Sequence, residues 1–325
     1  MKKIKLLTLL PLLLSPLAVT GCSGNTDIGI LQYGEFAALD EARKGFEDGL
    51  KEAGFGSLKI DYQNAKATAA NNSNLAKGLA SKNHKLNLAI ATPCATALKA
   101  AQDSIGSKTP LLFTAVTDPV GSGLVTNEKA PEGFITGSSD LQPAEALDNQ
   151  IRLVKKMIPT ASKLGIFYCA NEENSRVQAE LATAVALTEG LQVTVKTFTD
   201  ALNVKATVAE LAPQVDAIWI PTDNTVANNI SKVKDGVGTN KTLLIVGEEG
   251  MLSAGQLTVS ISYYDLGKKT AELAAQILNG KEIKDVPVFY STIEQCSYVF
   301  NKKNLEDAGF SADDLPSEFT WKEAQ

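Results

Sequence analysis

Residues 27–64 read DIGILQYGEFAALDEARKGFEDGLKEAGFGSLKIDYQN, and this stretch decides the fold class. Asp27–Tyr33 reads as a strand. Phe36–Ala53 reads as a helix, because Phe36, Leu39, Phe46 and Leu50 can share one face and Gly54 supplies a stop. Leu58–Asn64 reads as a second strand. Strand, helix and strand in that order make the crossover unit of a parallel sheet. Working outward, Ala69–Ser81 is a helix, Leu86–Ala91 a strand, Pro93–Ser104 a helix and Pro110–Val116 a strand. The order then begins again. Lys163–Tyr168, Gln192–Phe198, Ala217–Pro221 and Leu243–Val246 are strands, alternating with helices over Asn174–Thr188, Val204–Ala212 and Thr225–Asp235. The spacing predicts an α/β protein of two similar units in series, with Phe134–Leu141 crossing between them into a helix at Pro143.

The tail is too fragmentary for a third unit. Gly255–Tyr264 is strand-like and Leu266–Leu278 helical, while Val286–Tyr290 and Tyr298–Asn301 are short β runs. Pieces this small pack onto existing sheets, so the tail is expected to return to both units. Several crossing strands then leave a cleft able to close on a ligand. The expected division is 27–139 plus 264–288 for the N-terminal lobe, and 140–263 plus 289–325 for the C-terminal lobe.

The amino terminus, MKKIKLLTLLPLLLSPLAVTGC, has three lysines, an apolar run and small residues before Cys22. It resembles the lipobox of bacterial lipoprotein signal peptides. The resemblance implies cleavage of residues 1–21, lipid on Cys22 and a short tether over 22–26. The exported chain would then be anchored to the membrane on its extracytoplasmic side, at the cell surface or in the periplasm. An uncleaved span is the alternative, but Leu6–Val19 falls short of the ~20 apolar residues a crossing needs, and two prolines interrupt it. Paired acyl chains suffice for stable attachment.

Composition excludes some partners. The 325 residues hold 31 basic and 37 acidic side chains; loss of Lys2, Lys3 and Lys5 leaves 28 basic and a net charge of −9. An acidic chain with no basic run is a poor match for nucleic acid. Besides Cys22, the cysteines Cys94, Cys169 and Cys296 form an odd set without C-x-x-C spacing, so neither a disulfide framework nor a zinc site is indicated. One disulfide among them is open in an oxidising compartment, and buried apolar packing is the plainer expectation.

The sequence carries no enzyme signature. Its one histidine, His84, precedes a strand at the edge opposite to that where α/β sheets gather their sites; it is expected to be a surface residue at a helix end. No G-x-S-x-G is present. Gly267-Lys268-Lys269-Thr270 fails the phosphate-loop pattern, with Ser262 where its first glycine belongs. Gly121-Ser122-Gly123 fails the dinucleotide pattern at Thr126. No metal-ligand spacing or cofactor motif is found.

The strand ends instead carry groups that suit a zwitterion. Thr92-Pro93 places a hydroxyl at a helix start, where free N–H groups favour a carboxylate. Thr117-Asp118, Asn174-Ser175, Thr222-Asp223-Asn224 and Glu248-Glu249 close other strands, and Asp118, Asp223, Glu248 or Glu249 could take an ammonium. Tyr33, Phe36, Tyr263 and Tyr264 could stack on a ring. Each of these residues also has an ordinary use in caps, turns and cores.

Taken together, GILQYGEFAALDEARKGFEDGL (29–50), DYQNA (61–65), ATPCATA (91–97), TAVTDPVGSGLV (114–125), ITGSSD (135–140), NEENSRVQ (171–178), IPTDNTVA (220–227) and YYDLGKKTAE (263–272) resemble the substrate-binding lipoproteins of ABC transporters of tryptophan/tyrosine type. The resemblance implies a type I periplasmic-binding-protein fold of two Rossmann-like lobes. It implies an amino acid, aromatic or other, held in the cleft and delivered to a membrane permease driven by an ATPase. The matching cleft positions are Gln32, Tyr33, Thr92, Pro93, Asp118, Ser139, Asp140, Asn174, Ser175, Asp223, Asn224 and Tyr263. Cys94 stands where a small alanine is expected and would narrow the pocket if it touched the ligand. Within that frame Asp223 is assigned the ammonium, and Thr92 and Ser175 the carboxylate. The competing expectations are the same fold holding a sugar, a nucleoside or a branched-chain amino acid, a surface enzyme, or the sensor domain of a transcription regulator.

Overall fold

The computed structural model describes residues 26–324; the signal segment and Cys22 lie outside them. The first sheet and its helices comprise β1 (Ile28–Gln32), α1 (Ala37–Glu52), β2 (Ile60–Asn64), α2 (Ala69–Ala80), β3 (Leu86–Ile90), α3 (Thr92–Ser104), β4 (Leu111–Thr114) and β5 (Ile135–Gly137). The chain then runs through α4 (Ala144–Met157), β6 (Lys163–Cys169), α5 (Glu173–Thr188), β7 (Gln192–Phe198), α6 (Val204–Leu211), β8 (Ala217–Ile220), α7 (Asn224–Ala227), α8 (Ile230–Val237), β9 (Leu243–Val246) and β10 (Leu257–Ile261). It ends with α9 (Tyr263–Leu278), β11 (Cys296–Phe300), α10 (Lys302–Asp307) and β12 (Trp321–Glu323).

Two sheets result. The first has the order β2-β1-β3-β4-β5 and is wholly parallel. Its central strands β1 and β3 are buried at every residue, as expected where helices cover both faces. The second has the order β12-β11-β10-β9-β8-β6-β7 and is parallel except where β11 runs against β10.

The tail divides between the sheets for a steric reason. Helix α1 buries Ala38, Leu39, Ala42, Gly45, Phe46, Gly49 and Leu50 along one stripe, and α9 lies against it. A Cβ on Gly45 would sit 1.9 Å from the Tyr264 carbonyl oxygen, and one on Gly267 would sit 2.0 Å from that of Ala42. The two helices therefore touch backbone to backbone, which fastens α9 to the first sheet, while β11 and β12 extend the second.

Three segments join the lobes: residues 138–143, the Ile261–Tyr263 step, and the return through residues 289–295. The first and second are tied by the Tyr263 hydroxyl, which donates to Asp140 Oδ2 at 2.8 Å. The first and third meet at a single parallel bridge, Ser138 to Phe289. Val286–Tyr290 thus forms one bridge and no strand, since Pro287 has no N–H to offer a ladder.

Other local expectations are corrected. The helix expected over Thr225–Asp235 is two, broken at Asn228-Asn229, where Asn229 Nδ2 donates to the Thr225 carbonyl at 2.8 Å; such side chains compete with the backbone ladder. His84 is buried, not a surface residue. Its ring fills the space beside Gly29, with Nδ1 2.8 Å from Asn87 Oδ1 and Nε2 3.0 Å from Thr26 Oγ1. All three cysteines described are free, Cys94 and Cys169 buried and Cys296 partly so.

Candidate functional site

The carboxyl ends of both sheets face one another across the cleft. Backbone strain gathers there on the N-terminal lobe. Lys66 and Ala67 follow β2 with φ 53° and 51°, Ala91 follows β3 with φ 82°, and Ala115 follows β4 with φ 56°. Non-glycine residues in this region cost roughly 1–3 kcal/mol each and cluster at functional sites.

The Ala91 conformation alters the expected cap. Ala91, not Thr92, is the N-cap of α3. Thr92 is the first helical residue, and its buried Oγ1 has no hydrogen-bond partner among the described residues. A buried hydroxyl without a partner costs about 1–3 kcal/mol; Thr92 itself lies behind the surface, outside the linings of both the cavity and its mouth. Pro93 beside it lines the cleft mouth with Tyr33, Thr96, Asn171, Glu172 and Thr225. Burial pushes the Tyr33 phenol up to about 12, so it is a neutral donor.

Deeper in, the lobes meet around a narrow cavity of about 20 Å³, room for about one water molecule. Phe36, Ala38, Leu39 and Ala115 form the N-terminal wall. Asn174, Thr222, Asp223, Asn224, Glu248 and Met251 form the C-terminal wall, with Asp140 and Tyr263 from the crossing segments. One wall is thus mainly apolar with an aromatic ring, and the other is polar and acidic.

Four buried carboxylates dominate the electrostatics: Asp140, Glu172, Asp223 and Glu248. None forms an ion pair with a basic side chain among the described residues. Asp140 accepts from the Thr117 hydroxyl at 2.9 Å as well as from Tyr263, and burial raises its pKa. Asp223 accepts from Val226 N at 2.8 Å, Cys169 N at 2.7 Å and Ser175 Oγ at 2.8 Å. Burial, then the charge of neighbouring Glu172, raises Asp223 above the carboxylate range. Glu172 accepts from the N–H groups of Asn224 and Thr225 at 2.9 and 2.6 Å, and from the side chains of both. Among the described residues Glu248 accepts only from Gly250 N, at 2.6 Å. Burial pushes it up to about 7.

The sequence-predicted residues separate into groups. Asp140, Asn174, Asp223, Asn224 and Tyr263 meet at the cavity, and Tyr33 and Pro93 at its mouth. Ser139 and Ser175 stand behind the wall: Ser139 Oγ donates to the Thr117 carbonyl at 3.0 Å, and the Ser175 hydroxyl is committed to Asp223. Gln32 turns to α1, donating to Asp40 and the Gly34 carbonyl and accepting from Arg43. Asp118 caps its own turn through Gly121 N at 2.7 Å. Cys94 is buried and outside the linings of the cavity and its mouth; its thiol donates to Asn72 Oδ1 at 3.1 Å, and Asn72 does line the mouth. Sequence reasoning missed Glu172, although it adjoins Asn174, and missed Gln178. The latter's amide donates to Thr222 Oγ1 at 2.5 Å in its own lobe and to Thr117 Oγ1 at 3.5 Å in the other.

The profile of the family described as ABC transporter substrate binding protein matches residues 27–315. The chain belongs to that family. It is 33% identical over 321 residues to a tyrosine-binding protein of Clostridioides difficile strain R20291, covering 91% of this chain and 90% of that one. Among solved structures, an ABC domain from Streptococcus pneumoniae in complex with L-Trp superposes with a TM-score of 0.83 at 32% identity, covering 91% of this chain and 99% of that one. The ligand-free, open form of a substrate-binding protein with adhesive properties from Clostridium difficile gives 0.69, again at 32% identity, over 92% and 100%. The fold is therefore that of the type I periplasmic binding proteins, as the resemblance implies.

Proposed function

We propose that this substrate-binding protein captures an aromatic amino acid, tryptophan or tyrosine, in the interlobe cavity and hands it to an ABC permease. The observation carrying the proposal is an interlobe cleft with an apolar, aromatic wall on one lobe and an acidic, hydrogen-bonding wall on the other, which a ligand would part the lobes to fill. The ring would lie against Phe36 and Tyr33. The carboxylate would take the free Thr92 hydroxyl and the N–H groups opening α3, where the helix dipole also favours it. Asn174, Asp223 and Asn224 would form the polar wall. The relatives' ligands, tyrosine and L-Trp, support the same class. No helix among the described residues is long and apolar enough to cross a membrane, so attachment would fall to lipid on Cys22. The protein would act outside the cytoplasm, binding without converting its ligand, with lobe divisions at 139/140, 263/264 and 288/289.

A thermal-shift panel of amino acids, sugars and nucleosides tests the ligand class. Tryptophan or tyrosine at one hundred times its Kd should stabilise the protein by about 2.7 kcal/mol. A shift with sugars or nucleosides alone would overturn the proposal. Loss of the full chain from the membrane fraction on Cys22→Ala tests the anchor.

A further inference from the structure

Resting on the amino-acid reading above, we infer that Glu248, rather than Asp223, receives the ligand's ammonium group. The argument is one of unmet valence. A carboxylate has about four acceptor sites. Glu172 takes hydrogen bonds on both oxygens from Asn224 and Thr225. Asp223 takes three, distributed over both oxygens, and Asp140 one on each. These three carboxylates hold protein together: Asp223 and Glu172 bind the start of α7 to the end of β6, and Asp140 pins two crossing segments.

Glu248 differs from them. Only 3% of it is exposed, its Oε2 has the single donor Gly250 N, and its Oε1 has no protein donor among the described residues. It lines the enclosed cavity and also the groove behind it. The ionisable groups around it are Glu249 from its own segment, Asp140 and Tyr263 from the crossings, and Glu41 and Tyr264 across the rear groove. None is cationic. A buried carboxylate with an open oxygen and no counter-charge is costly unless a cation arrives. In a site for a zwitterion, that cation is the ammonium. Glu248 follows β9 on the C-terminal lobe, whereas Thr92 follows β3 on the N-terminal lobe. The two ends of the zwitterion thus engage opposite lobes, and closure is needed to hold both.

Calorimetry with tryptophan, tyrosine and their des-amino analogues, 3-indolepropionate and 3-(4-hydroxyphenyl)propionate, tests the assignment. The wild-type protein should prefer the amino acid by at least thirtyfold. Glu248→Gln should reduce that preference to threefold or less, chiefly by weakening amino-acid binding. Asp223→Asn should weaken both ligands while keeping the preference. Glu248→Asp, which retains the charge on a shorter stem, should retain part of the preference and serves if the glutamine variant does not fold. An undiminished preference in the Glu248 variants would overturn the inference, as would its collapse in Asp223→Asn alone. Failure of the wild-type protein to bind any amino acid would instead overturn the ligand class.

Discussion

Replacing Glu248 by glutamine should flatten the pH dependence of the ligand-free protein's stability. Burial pushes this carboxyl from 4.5 up to about 7. The shift of about 2.5 pH units corresponds to about 3 kcal/mol at 1.36 kcal/mol per unit. The sign follows from proton counting. Between pH 4.5 and 7 the folded protein keeps a proton that the unfolded chain has released, so stability falls as pH rises through that window. The cost is absent below the unfolded value and complete above the folded one. Glutamine cannot ionise and does not incur it. Asp140 and Asp223 are displaced in the same direction; their own burial is common to both proteins and cancels in the difference, while the repulsion between Asp140 and Glu248 is part of the effect measured. Urea unfolding of wild type and Glu248→Gln at pH 5, 6, 7 and 8 isolates the effect. The variant should gain on wild type as pH rises, by about 3 kcal/mol in all. A difference that stays constant across this range, or grows toward acid, would refute the burial argument.

Three further substitutions separate stability from binding. Thr92→Val removes a buried hydroxyl that has no partner, so the ligand-free protein should be as stable as wild type or up to about 2 kcal/mol more so, while affinity falls at least tenfold; urea unfolding and calorimetry on the same sample check it, and unchanged affinity would remove Thr92 from the site. Asp223→Ala strands the donors Cys169 N, Val226 N and Ser175 Oγ, and should destabilise by about 3 kcal/mol or more; a loss under about 1 kcal/mol on urea unfolding would show that the network is dispensable. Gly267→Ala drives a methyl into the Ala42 carbonyl and should cost about 3 kcal/mol by forcing α9 off α1. Affinity should fall with it, because the start of α1 lines the cavity; a normal melting temperature would contradict the close packing.

How much the sequence reveals depends on whether the cause is local. The sheets are legible because their strands are short apolar runs bounded by polar turns, such as LNLAI (86–90) and LLIV (243–246). Helix starts at strand ends are legible by residue type, which is why Asn174, Asp223 and Asn224 were identified. β12 is not legible: Trp321–Glu323 has three residues, two of them exposed, and its pairing to β11 is set by the stack of Tyr298 on Phe319, with centroids 4.2 Å apart. His84 misleads because Lys82, Asn83 and Lys85 around it are polar, whereas its burial comes from Thr26 and Asn87 and from the missing side chain of Gly29. Gln32 and Asp118 end strands as the true cleft residues do, but tertiary partners turn them elsewhere. The allocation of carboxylates is the least legible. Ser175 and Asp223 lie 48 residues apart, and only the fold reveals that the hydroxyl expected for the ligand is held by the acid expected for the ammonium.

The same charge distribution bears on how the lobes close. Glu248 and Asp140 line one cavity between the lobes with no basic side chain in its lining, and their mutual repulsion is strongest when bulk water is excluded. An empty closed state is therefore penalised, and a ligand shifts the balance only by its better contacts there. The ammonium relieves a cost that the open, hydrated state does not incur. Removing the charge at Glu248 should then relieve part of the penalty without any ligand. If ionised Glu248 disfavours closure by about 1.4 kcal/mol, Glu248→Gln raises the closed-to-open ratio of the ligand-free protein about tenfold. Small-angle scattering or a distance label on each lobe, read at pH 8 where Glu248 is ionised, should show the ligand-free variant more compact than wild type. At pH 5, where the wild-type carboxyl is protonated, the two should converge. Equal compactness at pH 8 would mean that the charge shapes ligand choice alone and that closure is governed elsewhere, for instance by the Gln178 to Thr117 contact that spans the lobes.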